Sequence, residues 1–235
     1  MQANEAGENR AASEEFWHER WRANEISFHQ PEPNALLVRN LSALRLPDGA
    51  RIFLPLCGKT RDIHWLLAEG YEVVGIELSP LAVEQLFAEL AMSPRISAHG
   101  ALQCYEGRRL VIYLGNLFDL DREMLGAVDA IYDRAALVAL PPSTRERYAR
   151  HLAAVTATAP QLLVCYDYDQ TCMDGPPFSV TEAEVRRHYG ARYRLTRLED
   201  GEVEGGLKGI CPSRQTVWLL EARQRTAQAD GVPPP

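Results

Sequence analysis

Ala50-Arg51-Ile52-Phe53-Leu54-Pro55-Leu56-Cys57-Gly58-Lys59 opens the part of the chain that decides its architecture, and Tyr71-Glu72-Val73-Val74-Gly75-Ile76-Glu77 completes the decision. The first run is short and apolar and follows the turn signal Pro47-Asp48-Gly49, which predicts a buried strand over residues 50–54. Pro55 has no amide hydrogen to give a neighbour, so the ladder ends there and Leu56 to Lys59 leave its carboxyl edge as a loop. Ile63, Leu66 and Leu67 recur at helical spacing, and Gly70 supplies the left-handed residue that closes the helix. The second run is another buried strand, stopping at Glu77. Ser79 then caps a helix that has Pro80 at its first position and Val83, Leu86, Phe87 and Leu90 as its buried stripe. Strand, helix, strand, helix implies crossover connections, hence a largely parallel sheet covered on both faces.

Working outward, further strands are expected at Arg109 to Leu114, Ala127 to Tyr132 and Gln161 to Tyr166. Tyr193 to Leu198 and Thr216 to Ala222 flank a Gly-rich loop with no helical pattern, which predicts an antiparallel pair at one edge. The expected fold is therefore α/β, a three-layer Rossmann-like arrangement with a seven-stranded, mostly parallel sheet and an antiparallel edge pair. Ser143 with Glu146, and Thr181 with Glu184, have capping-box spacing and mark helix starts. Residues 14–222 read as one domain, with a lid segment at about 14–45. Residues 1–13 and 223–235 are too polar or proline-rich to bury and are expected as disordered tails.

Composition narrows the function. A chain of 235 residues, 46% hydrophobic and 24% charged, is large enough for a core and excludes collagen-like, coiled-coil and wholly disordered classes. No apolar stretch is long enough to span a bilayer. A formal charge of −7 offers no general attraction to nucleic acid or anionic lipid, so neither is expected as a partner. The five cysteines are odd in number and form no CxxC pair, which fits neither a disulfide framework nor a zinc knuckle. With a polar, acidic start lacking a secretory pattern, a monomer in the reducing cytoplasm is expected. His29 and His64 lack a second ligand at metal-binding spacing, so no metal site is expected.

In open α/β sheets, ligands bind beyond the carboxyl ends of the strands. Gly58 there permits close approach of the backbone to a ligand, and Glu77 can bridge two ribose hydroxyls. A dinucleotide site requires several glycines around its pyrophosphate, and this loop has one. Gly58-Lys59-Thr60 resembles the end of a phosphate loop, but Phe53 stands where its first glycine is required. S-adenosylmethionine, a nucleoside without phosphates, needs only the close turn and the acid.

The residues resemble the thiopurine S-methyltransferase family. The resemblance rests on Phe16-Trp17-His18-Glu19-Arg20-Trp21 with Ile26-Ser27-Phe28-His29-Gln30, on Leu54-Pro55-Leu56-Cys57-Gly58-Lys59, on Val74-Gly75-Ile76-Glu77, on Ile131-Tyr132-Asp133-Arg134-Ala135-Ala136-Leu137-Val138-Ala139, and on Gly175-Pro176-Pro177-Phe178. It implies a class I methyltransferase sheet that moves a methyl group from S-adenosylmethionine to the sulfur of a thiopurine or similar aromatic thiol. S-adenosylhomocysteine would be the product. By the matching motifs, Trp17, Leu56, Gly58, Glu77, Asn116, Leu117 and Arg134 are expected to contact the cofactor, and Phe28 and Arg134 to face the substrate. The family's animal members place a second substrate-contacting arginine before the final strand. Here Gly201 to Lys208 contains none, and Lys208 is its candidate replacement.

No catalytic nucleophile or strong base is expected, since thiopurine thiols ionise near neutral pH and positioning supplies the main catalytic effect. Trp17, Trp21 and Phe28 read as a lid or as a staple of the amino-terminal segment. Asp133-Arg134 reads as a site element or as a surface ion pair. Cys57 reads as a packing residue. Two alternatives stay open: methylation of selenium or tellurium oxyanions, and a non-catalytic module that binds S-adenosylmethionine.

Overall fold

In the computed structural model, which describes residues 13–223, the run Arg51–Pro55 lies at the middle of a nine-stranded sheet. The chain begins with helices α1 (Glu14–Arg22) and α2 (Ala35–Asn40), then β1 (Arg51–Pro55), α3 (Arg61–Ala68), β2 (Glu72–Glu77) and α4 (Pro80–Glu89). It continues through β3 (Arg95–His99), β4 (Leu102–Gly107), β5 (Leu110–Leu114), α5 (Arg122–Leu125) and β6 (Ala130–Arg134). It ends with α6 (Pro142–Val155), β7 (Gln161–Tyr168), α7 (Glu182–Tyr189), β8 (Tyr193–Glu202) and β9 (Ser213–Ala222). The strand order is β3-β4-β5-β2-β1-β6-β7-β9-β8. The five central strands, from β5 to β7, are parallel, and both flanks are antiparallel.

Alternation along β1 builds the three layers. Ile52 and Leu54 face Leu37 of α2, Ile63 and Leu66 of α3, and Val83 and Leu86 of α4. Phe53 points to the opposite face, where Tyr148 and Leu152 of α6 and Val185 and Tyr189 of α7 pack. Burying each such side chain stabilises the fold by roughly 1.5–3 kcal/mol. Local chemistry sets the joints. Gly70, at φ +97°, donates its amide to Leu67 O while Tyr71 N reaches Leu66 O, so both carbonyls at the end of α3 are satisfied. The Ser79 hydroxyl accepts from Ala82 N at 3.4 Å, with Pro80 opening α4 as expected.

The sheet corrects the expected seven strands to nine. The additional pair, β3 and β4, is an antiparallel hairpin on the flank of β5, closed by Gly100 at φ +60° and Ala101. The edge pair at the other flank exists, but its strands extend to Glu202 and start from Ser213, and β9 lies between β7 and β8. The strand expected at Ala127 to Tyr132 runs instead over Ala130–Arg134, because Asp129 takes the Arg51 amide with its side chain at 2.7 Å. Ser143 does not cap α6. That helix starts earlier, after Pro141, where consecutive prolines fix φ and leave fewer amides to satisfy. Thr181 does cap α7, accepting from Glu184 N at 3.3 Å, but the Glu184 carboxylate turns to Arg145 instead of closing the box. Of the expected tails, residues 1–12 and 224–235 lie outside the described residues.

Candidate active site

The carboxyl ends of β1, β2, β5 and β6 converge on a cavity of about 600 Å³. Leu56, Gly58, Glu77, Asn116, Leu117 and Arg134 line it from the sheet. Trp17, Phe28 and Lys208 line it from other segments, so every residue expected to contact cofactor or substrate borders one cavity, whereas Asp133 does not.

Glu77 ends β2 and is 6% exposed. Its Oε2 accepts the Gly58 amide at 2.7 Å and its Oε1 the Ser79 amide at 2.7 Å, which fixes the carboxylate plane. Burial pushes its carboxyl above the usual range, and the amides of Ser79, Gly58 and Leu78 pull it partly back. The loop that delivers the Gly58 amide is tight. Leu56 lies at φ +47° and Gly58 at φ +54°, one on each side of Cys57. A left-handed leucine is strained, and the strain sits where the backbone borders the cavity. Cys57 folds down over Gly75, where an added Cβ would lie 2.7 Å from its Sγ. Burial, followed by the Glu77 charge, raises its thiol pKa, as suits a packing residue rather than a nucleophile.

Lys59 does not extend the glycine loop into a phosphate cradle. Its ammonium pairs with Glu89 at 2.7 Å, and Thr60 caps α3 by accepting from Asp62 N. Asn116 Oδ1 accepts from Phe118 N at 2.9 Å, capping the short turn Leu117–Asp119, while its Nδ2 donates to Glu14 of α1 at 2.7 Å. The Leu117 carbonyl contacts His151 Nε2 at 2.9 Å.

From the amino-terminal side, Trp17 and Trp21 both meet Phe28 edge to face, with ring centroids 6.2 and 5.7 Å apart. Trp21 also lies against Gly58, where an added Cβ would stand 3.2 Å from its ring.

Asp133 and Arg134 do not form an ion pair, because successive strand residues face opposite ways. Asp133 is fully buried and accepts from Tyr148 OH at 2.7 Å and Leu137 N at 3.1 Å. Arg134 faces the cavity and has no ion-pair or hydrogen-bond partner among the described residues. Lys208 donates to the Pro176 carbonyl at 3.0 Å, and burial, then Arg20, depresses its pKa. Arg20, His29 and Tyr166 also line the cavity and were not expected there. Tyr166 had a legible signal: it stands near the carboxyl end of a parallel strand. Arg20 and His29 lie beside Trp21 and Phe28, and no spacing rule points them at the cavity.

A central run of parallel strands carrying an amide-anchored acid at the end of the second defines a Rossmann-like fold for a nucleoside-bearing ligand. Solved structures share the arrangement. The 1,6-didemethyltoxoflavin-N1-methyltransferase of Burkholderia thailandensis, solved with S-adenosylhomocysteine, has a TM-score of 0.58 at 15% identity, covering 88% of this chain and 87% of that one. An S-adenosylmethionine-dependent methyltransferase from Methanosarcina mazei has a TM-score of 0.59 at 15% identity, covering 82% of this chain and 100% of that one. At such identities the likeness concerns the fold.

Sequence comparison is more specific. A family model described as thiopurine S-methyltransferase matches residues 12–221. The thiopurine S-methyltransferase of Gluconobacter oxydans is 51% identical over 203 residues, 86% of this chain and 92% of that protein. Its counterpart from Xanthobacter autotrophicus is 52% identical over 208 residues, 88% of this chain and 98% of that protein. The chain belongs to the thiopurine S-methyltransferase family and is an S-adenosylmethionine-dependent methyltransferase.

The donor set fits that cofactor. Glu77 is a buried acceptor for hydroxyl donors and would repel a phosphate, and the nearby lysine is already paired with Glu89. The rings of Trp17, Trp21 and Phe28 provide an apolar, electron-rich wall suited to a sulfonium cation.

Proposed function

We propose that this methyltransferase acts, as a monomer, on the sulfur of thiopurines or similar aromatic and heterocyclic thiols. The observation that carries the reading is Arg134, a cation without a counter-ion among the described residues, in a cavity walled by Trp17, Phe28 and Tyr166. An unpaired guanidinium beside flat apolar surfaces suits a planar anion, such as the thiolate of a heteroaromatic ring. The five cysteines are free thiols, which accords with a reducing cytoplasm.

When bound, S-adenosylmethionine supplies an electrophilic methyl group on a sulfonium. In this reading Glu77 would take the ribose hydroxyls, and the Leu56 to Gly58 loop, Trp17 and the Asn116-Leu117 backbone would hold the rest of the cofactor. Arg134 would contact both cofactor and substrate, and Phe28 the thiol. Arg134 favours the ionised thiol by charge pairing, so positioning and exclusion of water supply most of the acceleration. The segment at about 14–45 acts as a lid. It is anchored by Asn116 to Glu14 and by Trp21 on Gly58.

Transfer of labelled methyl from S-adenosylmethionine to a thiopurine by the purified protein tests the reading. Arg134→Met should lower kcat/KM by about 10- to 150-fold, the equivalent of a lost charged hydrogen bond. Label transferred to selenite or tellurite but to no thiol would replace the substrate class. Cofactor binding without turnover on any acceptor would reduce the protein to a binding module.

A further inference from the structure

Beside Arg134 the cavity holds a polar side chain to which the reading above gives no task. His29 follows Phe28 in the loop after α1 and lines the same cavity. Its backbone is held in place, since the His29 amide donates to Ile26 O at 2.7 Å. Its Nδ1 is buried and meets no hydrogen-bond partner. With Nδ1 shielded by protein, Nε2 is the ring nitrogen left to serve a ligand in the cavity that His29 lines. The residue as a whole is half-buried, and a shielded Nδ1 without a partner is a cost that no hydrogen bond of the fold offsets.

Burial and the charged groups around the ring together disfavour its protonation. Lys59 faces it from the loop after β1, Arg61 and His64 from α3, Glu89 from α4 and Arg134 from β6. Glu89, the one acid in this set, lies 2.7 Å from Lys59 and 3.7 Å from Arg61, so its charge is already shared between cations. Burial first, then Lys59, Arg61 and Arg134, hold the imidazole below the ordinary histidine range, against the opposing pull of Glu89. A neutral imidazole with an open nitrogen next to a guanidinium is a proton acceptor beside an anion-stabilising cation.

Arg134 can favour a thiolate but cannot take a proton, because guanidinium has no acceptor atom. Heteroaromatic thiols that ionise near neutral pH need no acceptor. Thiols on saturated carbon retain their proton at that pH and do need one. Building on the function proposed above, we infer that His29 is the catalytic base that extends this site to thiols not ionised at neutral pH, such as arylalkyl thiols. In the step, Nε2 takes the S–H proton and the freed sulfur pair forms the bond to the methyl carbon. The methyl–sulfonium bond breaks, leaving its electron pair on the cofactor sulfur. The imidazolium releases its proton to water as the methyl thioether leaves.

The test uses the purified full chain with S-adenosylmethionine and two acceptors, a nitrothiophenol that is ionised at the assay pH and phenylmethanethiol, which is not. His29→Gln should lower kcat for phenylmethanethiol about 100-fold more than for the nitrothiophenol, the scale of general-base catalysis. Its Kd for S-adenosylhomocysteine by calorimetry should stay within about threefold of wild type, since the proposal gives His29 no cofactor contact. For phenylmethanethiol, wild-type kcat/KM should rise with pH through a value below the ordinary histidine range. In the variant, the rise should move to the ionisation of the thiol itself. Equal losses on the two thiols would overturn the assignment. So would loss of S-adenosylhomocysteine binding in both His29→Gln and His29→Asn, or wild-type methylation of the nitrothiophenol alone. Wild-type failure on every thiol would instead overturn the proposed function, and this assignment with it.

Discussion

Glu77 is held by two backbone amides, so its orientation is settled before any ligand arrives. Replacing it by Gln puts an NH2 group opposite one of those amides and removes the charge. Glu77→Gln should weaken S-adenosylmethionine binding by about 1.5–3 kcal/mol, measured by calorimetry, and an unchanged Kd would remove Glu77 from the site. Gly58 is constrained twice, by φ +54° and by the Trp21 ring, which would stand 3.2 Å from any Cβ added there. Gly58→Ala should cost about 1–2 kcal/mol from the left-handed backbone alone, read by denaturant unfolding, and should shift Trp fluorescence as Trp21 moves. Both residues are legible in the sequence because a glycine and an acid at the ends of adjacent parallel strands form a recognisable pair. Leu56 is legible only as a loop position, since nothing in a leucine announces positive φ. His29 is not legible as a site residue, because metal-ligand spacing gives it no partner, whereas its place depends on the loop after α1 folding back over the sheet.

The central strands can be read because each is a continuous apolar run, buried on both faces. The β3–β4 hairpin cannot. Arg95–His99 shows hardly any buried position, Ile96 is 56% exposed, and such an edge strand carries neither alternation nor an apolar run. Helix α6 shows the same limit at its start, where two prolines displace the apparent cap. It also bears a buried ionic link to α7. The Arg145 side chain is 1% exposed and reaches Leu140 O, Ser179 O and Glu184 of α7. Arg145→Ala leaves Glu184 with only His188 at 3.1 Å and the exposed Arg187 at 3.4 Å, and should destabilise the protein by about 1.5–3 kcal/mol, the scale of a lost hydrogen bond to a charged group. A loss below about 1 kcal/mol in denaturant titration, the scale of an exposed pair, would show that the link is not structural.

Across the whole molecule, the most deeply buried carboxyl side chain among the described residues, Asp133, lies outside the cavity. Burial pushes the Asp133 carboxyl up to about 6, against the lowering effect of the Leu137 amide and the Tyr148 hydroxyl. The folded chain therefore keeps a proton that an unfolded carboxyl, with a pKa near 4, has released. Stability from this group is full below about pH 4, declines as the pH rises and levels off above about pH 6, a loss of roughly 3 kcal/mol. Asp133→Asn should abolish that decline. Gln161, which now donates to Asp133, carries a buried Oε1 without a partner and can turn it towards the new amide. Parallel stability–pH curves for wild type and Asp133→Asn would refute the assignment. The position of β9 bears on the order of assembly. The last described strand to leave the ribosome is inserted between two earlier ones, pairing with β7 along Gln161 to Tyr168 and with β8 along Tyr193 to Glu202. A nascent chain halted before Ser213 would leave two long rows of peptide groups without neighbours, so the sheet closes only once Ser213–Ala222 has been made, and chaperones would meet the growing chain with those open borders exposed.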